Sequence, residues 1–472
     1  MAISDWVTRF VVLAFILAPS LGAQGDDNEF RVYTEHPRLI LTPQRLRLLK
    51  RERERDSQRW RQFDSLVKGA GTLPEPGFGL ALYYAASGDN AIGQRAVQWA
   101  LSPAADDLRQ LALVYNWCQP VLGPKESATL AAKIRQLIQK RSFDTVPVHR
   151  DKILAWIAIA DDAHSEEAAL EQAVRHWWRM EYATSLEAGP STLALPDVYP
   201  LLEILHAIRD NLRIDLREAA PGYFAHLAKY LVMGNYPAPY RAPDNEFRIP
   251  MDLGGMDRSQ SQPDLNRAAL ARTAGLSMVA YDNNGLENQF LQGWLIQDRF
   301  SLLTSFGAPY EYLWANPYQP GLSYFLLPLV FHDENSGALF VRSSWEEDAD
   351  WFGLYGGQAQ VFHGGRVRVV NQTTSGPAAA KPGHLEPMQV GETSIIFGRA
   401  PFQFSTEGGT VLAIGLEPRH PYLVETDDEE MRETATDRAG TLVLEYPASR
   451  AAGVRVHEES VKPEVKHGKD GA

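Results

Sequence analysis

The chain has 472 residues, of which 44% are hydrophobic, and a formal net charge of −13. This length exceeds that of one ordinary domain and predicts a globular protein of two domains. The acidic balance argues against a nucleic-acid partner, because such proteins need clustered Lys and Arg, but a basic cleft in an acidic protein can still bind an acidic substrate.

The N-terminus has the pattern of a signal peptide. Arg9 precedes an apolar run from Phe10 to Ala18, and small residues follow up to Ala23. The apolar run is far shorter than the roughly 20 residues of a membrane-spanning helix. We therefore predict a signal peptide over residues 1–23, a periplasmic or secreted protein, and no membrane span after signal cleavage. A retained N-terminal anchor is the alternative.

Mostly helical periodicity follows and predicts a helical domain over residues 30–330. Thr42 suits an N-cap, Pro43 suits the first helical turn, and apolar residues recur at helical spacing as far as Val67. The many charges of this first helical stretch predict a solvated face, with a functional basic patch as the alternative. Further helices are predicted near 77–87, 90–101, 106–118, 124–140, 148–160, 163–183, 196–211, 216–233, 263–281 and 286–303.

These roughly eleven helices are joined mainly by short turns, which favours antiparallel helical hairpins. No sequence motif recurs at a fixed period, so a closed toroid is favoured over a regular solenoid. The single cysteine, Cys118, excludes an intramolecular disulfide, and the core must supply the stability.

One irregular stretch interrupts the helices, from Gly234 to Asp264, and is rich in Pro, Gly, Asp and Arg. Irregular segments of this length inside a compact domain are commonly functional. We therefore regard this stretch as a candidate site, with an ordinary surface loop as the alternative.

After about residue 335 the pattern changes to alternation with period two. The short runs are "ALFVRSSW", "WFGLYGG", "QAQVF", "RVRVVN", "TSIIFG", "VLAIGL", "YLVETD", "TLVLEY" and "GVRVHE". They predict an antiparallel β-sandwich domain over residues 335–460, followed by a disordered tail over 461–472. The predicted fold class is thus an α+β multidomain protein, with an N-terminal (α/α) toroid of helical hairpins and a C-terminal antiparallel β-sandwich.

Two short stretches resemble the heparinase II/III-like and alginate-lyase-like polysaccharide lyases. They are His36-Pro37-Arg38-Leu39 in the helical part and Arg342-Ser343-Ser344-Trp345 in the all-β part, and the similarity in architecture covers most of residues 35–460. The resemblance implies an (α/α) toroid, a β-sandwich and cleavage of a uronate-containing polysaccharide between them. Active relatives typically carry a His-x-His-x-Asp-like motif where this chain reads "GGQAQVFHGGRVRVVNQTT", with one histidine.

The β-elimination that the resemblance implies needs a base, a positive group beside the uronate carboxylate and an acid for the leaving oxygen. Under this hypothesis the catalytic candidates are Tyr240, with Arg241 as its neutralising partner, and His363. The glycines after His363 equally suit a hairpin turn, so a hairpin corner remains the alternative. The predicted substrate-binding residues are Arg241, Arg248, Arg258, Trp314, Tyr318, Tyr324 and Arg366. For the aromatic residues, packing at the domain junction is the alternative.

No cofactor is predicted. His332, Asp333 and Glu334 have the composition of a metal site, but adjacent residues on a turn rarely converge on one ion, so no metal site is predicted.

The leading hypothesis is an exported lyase that acts on an acidic polysaccharide or oligosaccharide. The alternatives are a catalytically silent glycan-binding relative and a glycoside hydrolase with Asp252 and Asp257 as paired carboxylates. The sequence leaves the oligomeric state open.

Overall fold

The computed structural model describes residues 30–33, 35–69, 71–141, 145–161, 164–241, 246–251, 263–297, 304–370 and 383–458. The predicted signal peptide and tail lie outside these residues, as do Arg258, Asp252 and Asp257. The described residues form an α+β fold in which helices are followed by sheets. None of the described helices combines the length and the hydropathy needed to cross a membrane.

The helices occupy most of the predicted segments. They are α1 Pro43–Glu54, α2 Gln58–Lys68, α3 Pro76–Ser87, α4 Asn90–Leu101, α5 Leu108–Trp117, α6 Pro124–Lys140, α7 Val146–Ile159, α8 Glu167–Gln172, α9 Ala183–Leu186, α10 Leu195–Leu212, α11 Pro221–Met233, α12 Leu265–Tyr281, α13 Leu286–Gln297 and α14 Gly307–Trp314. A π-helical segment, Ala173–Tyr182, joins α8 to α9.

The first predicted helical stretch is divided into α1 and α2 by a local backbone signal. The Thr42 side chain caps α1 by accepting a hydrogen bond from the Arg45 backbone N–H, as predicted. At Asp56 the backbone adopts a positive φ of 49°, which ends the helical path. Ser57 then caps α2 by accepting from the Trp60 backbone N–H.

The inner helices pack in a closed circuit. In the order α3, α5, α7, α10, α12 and α14, each helix contacts the next, and α14 contacts α3. The helices α4, α6 and α13 pack against members of this ring. We call this set of inner helices the helical ring.

A buried ionic network connects several helices of the helical ring. The Glu203 carboxylate on α10 accepts hydrogen bonds from Arg109 Nη2 on α5 at 2.7 Å and from Arg150 Nη1 on α7 at 2.8 Å. Tyr199 donates to Glu203 at 2.7 Å, and Trp314 of α14 donates to the Tyr199 hydroxyl at 3.1 Å. Burial favours the neutral acid, but the two guanidinium groups hold the pKa of Glu203 below its ordinary value.

A buried histidine lies one turn further along α10. His206 places Nε2 3.0 Å from the Ser277 carbonyl oxygen, to which only a protonated nitrogen can donate. Nδ1 lies 3.4 Å from Arg209 Nη2, so it is the acceptor of that pair. Both contacts fit the neutral ring, and burial with the nearby Arg209 and Arg45 lowers the pKa of His206 well below 6.5.

The strands form one short hairpin and three larger sheets. The strands are β1 Tyr240–Arg241, β2 Glu246–Phe247, β3 Val330–His332, β4 Leu339–Arg342, β5 Trp351–Tyr355, β6 Gln358–His363, β7 Arg366–Val370, β8 Met388–Val390, β9 Thr393–Phe397, β10 Phe402–Thr406, β11 Gly409–Ile414, β12 Pro421–Thr426, β13 Glu430–Ala435, β14 Thr441–Tyr446 and β15 Ala452–Glu458. Sheet 1 has the order β3-β4-β5-β6-β7, sheet 2 the order β14-β11-β9-β8, and sheet 3 the order β10-β15-β12-β13.

The three sheets and the helices are stacked in layers. One face of sheet 1 packs on the helices through Phe340, Trp351 and Phe362, which belong to the helical core. Its other face packs on sheet 2 through residues such as Phe352. Sheet 2 in turn packs on sheet 3 through a separate core that contains Ile396.

This arrangement differs from the simple antiparallel β-sandwich that was predicted. Strand β9 pairs with β11 in parallel, with Leu412 opposite Ile395. The reason is that β10, which lies between them in the sequence, belongs to sheet 3, so the chain returns to sheet 2 in its original direction. Period-two alternation identifies strands, but it does not tell which sheet each strand joins.

We expect Glu203→Gln to destabilise the protein. The substitution removes the charge that compensates Arg109 and Arg150 inside the helical ring, and uncompensated buried charges cost roughly 3–5 kcal/mol. The free energy of unfolding in urea measures this loss. The control is Glu171→Gln, because Glu171 forms a half-exposed ion pair with Arg175 and should cost less than about 1 kcal/mol. Equal effects of the two substitutions would contradict a structural role for the network.

We expect His206 to make the stability sensitive to mild acid. Its pKa is lowered on folding, so below pH 6.5 the unfolded chain binds a proton that the folded chain does not. Its contribution to stability is therefore present above that pH and declines as the pH falls, by up to about 1.4 kcal/mol per pH unit. Unfolding measured as a function of pH should show a smaller slope in His206→Gln. The variant of the exposed His176, His176→Gln, should keep the slope of the unchanged protein, and an identical slope in both variants would exclude His206 as the source.

Candidate functional site: an arginine-lined cavity

His363 ends β6 at a tight hairpin turn. Gly364 and Gly365 form the turn with φ values of 55° and 76°, a backbone conformation that favours glycine, and β7 begins at Arg366. The hairpin alternative is therefore the local structure. The His363 ring also contacts a carboxylate, with 2.6 Å between Nδ1 and Asp350 Oδ1, and the imidazole remains 65% exposed. Such a pair orients the ring and leaves Nε2 open to solvent.

Strand alternation separates the two predicted catalytic residues. Phe362 faces the helices and stacks on Tyr236, with 6.0 Å between the ring centroids. Neighbouring residues of a strand point to opposite faces, so His363 points away from the helices. Arg366 lies directly opposite His363 in the hairpin and shares that outer face. Tyr240 follows the helix-side segment of Tyr236 and packs against the helical core.

The residues around Tyr240 are committed to contacts within the chain. Tyr240 pairs with Phe247 in the β1–β2 hairpin, and Arg241 forms an exposed ion pair with Glu246, with 3.3 Å between Nε and Oε1. Arg248 donates to the Pro237 carbonyl oxygen. These contacts favour a structural role for the segment. The predicted roles of Tyr240, Arg241 and Arg248 in substrate chemistry remain predictions.

Tyr324 lies at the border between the helices and sheet 1. It stacks on Phe325, with 4.6 Å between ring centroids, and meets the edge of Trp345 at 5.2 Å. The Arg342 guanidinium lies 4.9 Å from the centroid of the Trp345 ring. The packing alternative for Tyr324 therefore agrees with its contacts.

Trp314 and Tyr318 lie elsewhere, at a large polar cavity between α1, α10, α12 and the C-terminal end of α14. The cavity has a volume of about 720 Å³, within the range of ligand-binding pockets. We call it the arginine-lined cavity; its charged and aromatic lining consists of Arg45, Arg47, Arg51, Arg209, His206, Asp210, Tyr281, Trp314 and Tyr318.

Two of the arginines also stabilise helix ends. Arg45 Nη1 donates to the carbonyl oxygens of Leu313 and Trp314, at 3.1 and 3.2 Å, at the C-terminus of α14. Arg209 donates to the Tyr281 carbonyl oxygen at 2.5 Å, and its guanidinium lies 3.7 Å from the Tyr281 ring centroid. Burial lowers the pKa of Arg45 to about 10 from its ordinary 12.5, because nearby charge only partly compensates its buried charge.

Arg47 and Arg51 are different, because they extend from the exposed face of α1 into the cavity wall. Within the described residues neither forms an ion pair with a carboxylate. The Arg51 guanidinium lies 5.8 Å from the centroid of the Tyr318 ring, which is 43% exposed. Asp210 is the one carboxylate among the described lining residues. The cavity is therefore a positively charged region of an acidic protein.

The cavity lies at the end of the helical ring that is remote from the sheets. Leu195, at the first turn of α10, lines a small pocket together with Phe340 and Tyr355 of sheet 1. Arg209 follows 14 positions later on the same helix, which at about 1.5 Å per residue corresponds to about 21 Å. The predicted residues therefore divide into a group beside sheet 1 and a group at the arginine-lined cavity.

The sequence pointed to Trp314 and Tyr318 but not to the arginines beside them. The residues that complete the cavity come from α1 and α10, which are more than a hundred positions apart in the chain. A basic patch on α1 was the less favoured alternative to a solvated face. The excess of Arg over Asp and Glu in residues 45–53 was the available signal.

In the stretch His332-Asp333-Glu334, where no metal site is predicted, the first two side chains contact different partners. His332 lies 2.9 Å from Asp437 Oδ2, whereas Asp333 accepts a hydrogen bond from the Ser336 backbone N–H at 2.9 Å within its own turn. Among the residues that the structure describes, no three His, Cys, Asp or Glu side chains come together as metal ligands would.

Comparisons with known proteins add little to this geometry. No family model and no curated relative matches the sequence. Among solved structures the chain is similar to a protein titled "Glycoside hydrolase", with a TM-score of 0.31 and 7% sequence identity over 88% of this chain and 75% of that chain. A TM-score of this size does not establish a common fold, and membership of the lyase family that the sequence resembles is not shown.

Proposed function

We propose that the protein binds an acidic saccharide in the arginine-lined cavity. The observation that carries the proposal is the excess of guanidinium groups around a ligand-sized cavity, where Arg47 and Arg51 have no carboxylate partner among the described residues. A planar guanidinium can donate two parallel hydrogen bonds to a carboxylate. An acidic saccharide would supply the negative charge that the cavity lacks.

The uncharged lining suits the rest of a sugar. The guanidinium groups of Arg51 and Arg55 lie 5.8 and 5.1 Å from the centroid of the Tyr318 ring. The exposed part of this ring offers an apolar surface to the C–H groups of a pyranose, as aromatic rings in saccharide sites do. Asn283, Gln292 and Gln319 add amide groups to the wall. One carboxylate oxygen of Asp210, Oδ2, has no hydrogen-bond partner among the described residues, and a sugar hydroxyl is a suitable donor. A simple anion such as sulfate has no proton to donate.

We propose that the helical ring with its outer helices is an (α/α) toroid domain over residues 30–330, followed by a β-sheet domain over 335–460. We also propose export to the periplasm or the medium, with cleavage near Ala23, because the N-terminus has the pattern of a signal peptide. An exported protein would meet acidic saccharides outside the cytoplasm.

A second candidate function is cleavage of a uronate polymer by β-elimination. The observation that favours it is the His363–Asp350 pair, with Arg366 on the same face of the hairpin. His363 Nε2 would remove the proton from the carbon next to the uronate carboxylate, and Arg366 would stabilise the negative charge that develops. The bond from the neighbouring carbon to the glycosidic oxygen would break as the double bond forms, and the leaving oxygen would take a proton from the protonated His363 or from water. On β6 the helix-facing side chains that precede Phe362 include Gln360, an amide that cannot transfer protons near neutral pH. The second candidate is therefore carried by the face of sheet 1 that is turned away from the helices, at its solvent-exposed hairpin end.

We expect saturable binding of galacturonate that depends on Arg47 and Arg51. Isothermal titration calorimetry measures the affinity of the full chain for galacturonate, for neutral galactose and for sulfate. Arg47→Gln with Arg51→Gln should weaken galacturonate binding at least about ten-fold, a difference of roughly 1.4 kcal/mol.

The matched control removes two positive charges elsewhere. Lys50 and Arg95 are exposed helix residues outside the described cavity lining, and Lys50→Gln with Arg95→Gln should leave the affinity unchanged. The proposal is wrong if galacturonate does not bind, if galactose or sulfate binds as tightly, or if both double variants lose the same affinity.

The second candidate predicts an unsaturated product that depends on His363. β-Elimination creates a conjugated double bond, so ultraviolet absorbance would rise while the protein is incubated with polygalacturonate, alginate or heparan sulfate. We expect His363→Ala to reduce such a rate by roughly 100- to 10,000-fold, the usual contribution of an acid–base group. The control His420→Ala removes another histidine beside a carboxylate, Glu417. A rate that persists in His363→Ala, or a flat trace on every polymer, would exclude this role.

A further inference from the structure

A second cavity adjoins the arginine-lined cavity. It also has a volume of about 720 Å³. We call it the N-terminal groove because much of its described wall consists of Arg31, Val32, Tyr33, Glu35, Pro37 and Arg38. Thr42, Pro43 and Asp210 line both cavities. The two cavities therefore border each other across the first turn of α1 and the last turn of α10.

Two buried hydrogen-bond acceptors lie at the border between the cavities and have no donor among the described residues. Asp210 Oδ2 and Asn211 Oδ1 are buried, and neither has a hydrogen-bond partner among the described residues. The other side of each group is occupied, because Arg209 donates to Asp210 Oδ1 and Asn211 Nδ2 donates to the Arg38 carbonyl oxygen at 2.9 Å. Buried acceptors normally have donors, and the hydroxyl groups of a saccharide are donors.

The wall of the N-terminal groove has the features of a sugar subsite. The Tyr33 ring is 46% exposed, and its hydroxyl accepts a hydrogen bond from Arg213 Nε at 3.1 Å, which restrains the ring. Arg31 is exposed and lines the same groove. The groove thus combines an aromatic face with the guanidinium group of Arg31, and its lining also includes the carboxylates of Glu35 and Asp210.

From this geometry we infer that the ligand is an acidic oligosaccharide, with one residue in the arginine-lined cavity and the next residues across Asp210 in the N-terminal groove. The inference rests on the proposed function and extends it from a single sugar to a chain. A monosaccharide would occupy only the first cavity. Each further sugar would gain contacts to Tyr33 and Arg31 and would present hydroxyls near Asp210 and Asn211.

The test compares ligand lengths on the full chain. Calorimetric titration with galacturonate and with linear trigalacturonate should show trigalacturonate binding at least about ten-fold tighter. Tyr33→Ala and, separately, Arg31→Gln should remove most of this advantage while galacturonate binding stays the same. Phe325→Ala is the matched control, because Phe325 is a similarly exposed aromatic residue, at 47%, outside the described lining of both cavities.

The outcomes separate the two proposals. If galacturonate itself does not bind, the proposed function fails. If galacturonate binds but trigalacturonate binds no more tightly, only the inference about the groove fails. The inference also fails if trigalacturonate keeps its advantage in both Tyr33→Ala and Arg31→Gln, or loses it equally in Phe325→Ala.

Discussion

The helical part depends on how the charge of Glu203 is compensated inside the ring. A carboxylate with no solvent exposure is stable only if its hydrogen bonds and its charge are satisfied locally. Arg109 and Arg150 supply the charge, and Tyr199 supplies a further donor. Because these groups come from different helices, the requirement fixes α5, α7 and α10 relative to one another, and Trp314 adds α14 through Tyr199. The positions of both ends of α10 follow from this constraint.

Two helices of the network, α10 and α14, also line the arginine-lined cavity near their C-terminal ends, together with α1 and α12. Helix C-termini expose carbonyl oxygens and carry partial negative charge, so arginines are favoured there. Arg45 and Arg209 satisfy this requirement at α14 and α12. Their guanidinium groups nevertheless remain in the cavity wall, where Arg47 and Arg51 add further positive charge. Structural capping thus concentrates positive charge where a ligand can reach it.

The sequence predicted most elements but not their association. Helices from Pro76 to Ile159 were predicted within a few residues, because each has apolar periodicity and a turn or proline at its start. The helix α14 was missed because its aromatic run was interpreted as a contact surface. The strand β13 was missed because its residues are polar and largely exposed at an edge of sheet 3.

The position of His363 on the face of sheet 1 turned away from the helices follows from alternation once Phe362 is known to face the helices. The cavity was not predictable from local patterns, since its residues meet only through the packing of α1, α10, α12 and α14.

The crossing of β10 between β9 and β11 has a consequence for how the sheets form. From β9 to β15 the chain repeatedly passes between sheets 2 and 3, so neither sheet consists of one continuous segment. Neither can therefore assemble first as an independent hairpin stack, and pairing β9 with β11 requires the intervening strand to leave the plane. Sheets connected in this way are expected to gain and lose structure as one cooperative unit. Their non-local pairings favour slow folding, with the late strand β15 closing sheet 3 between β10 and β12.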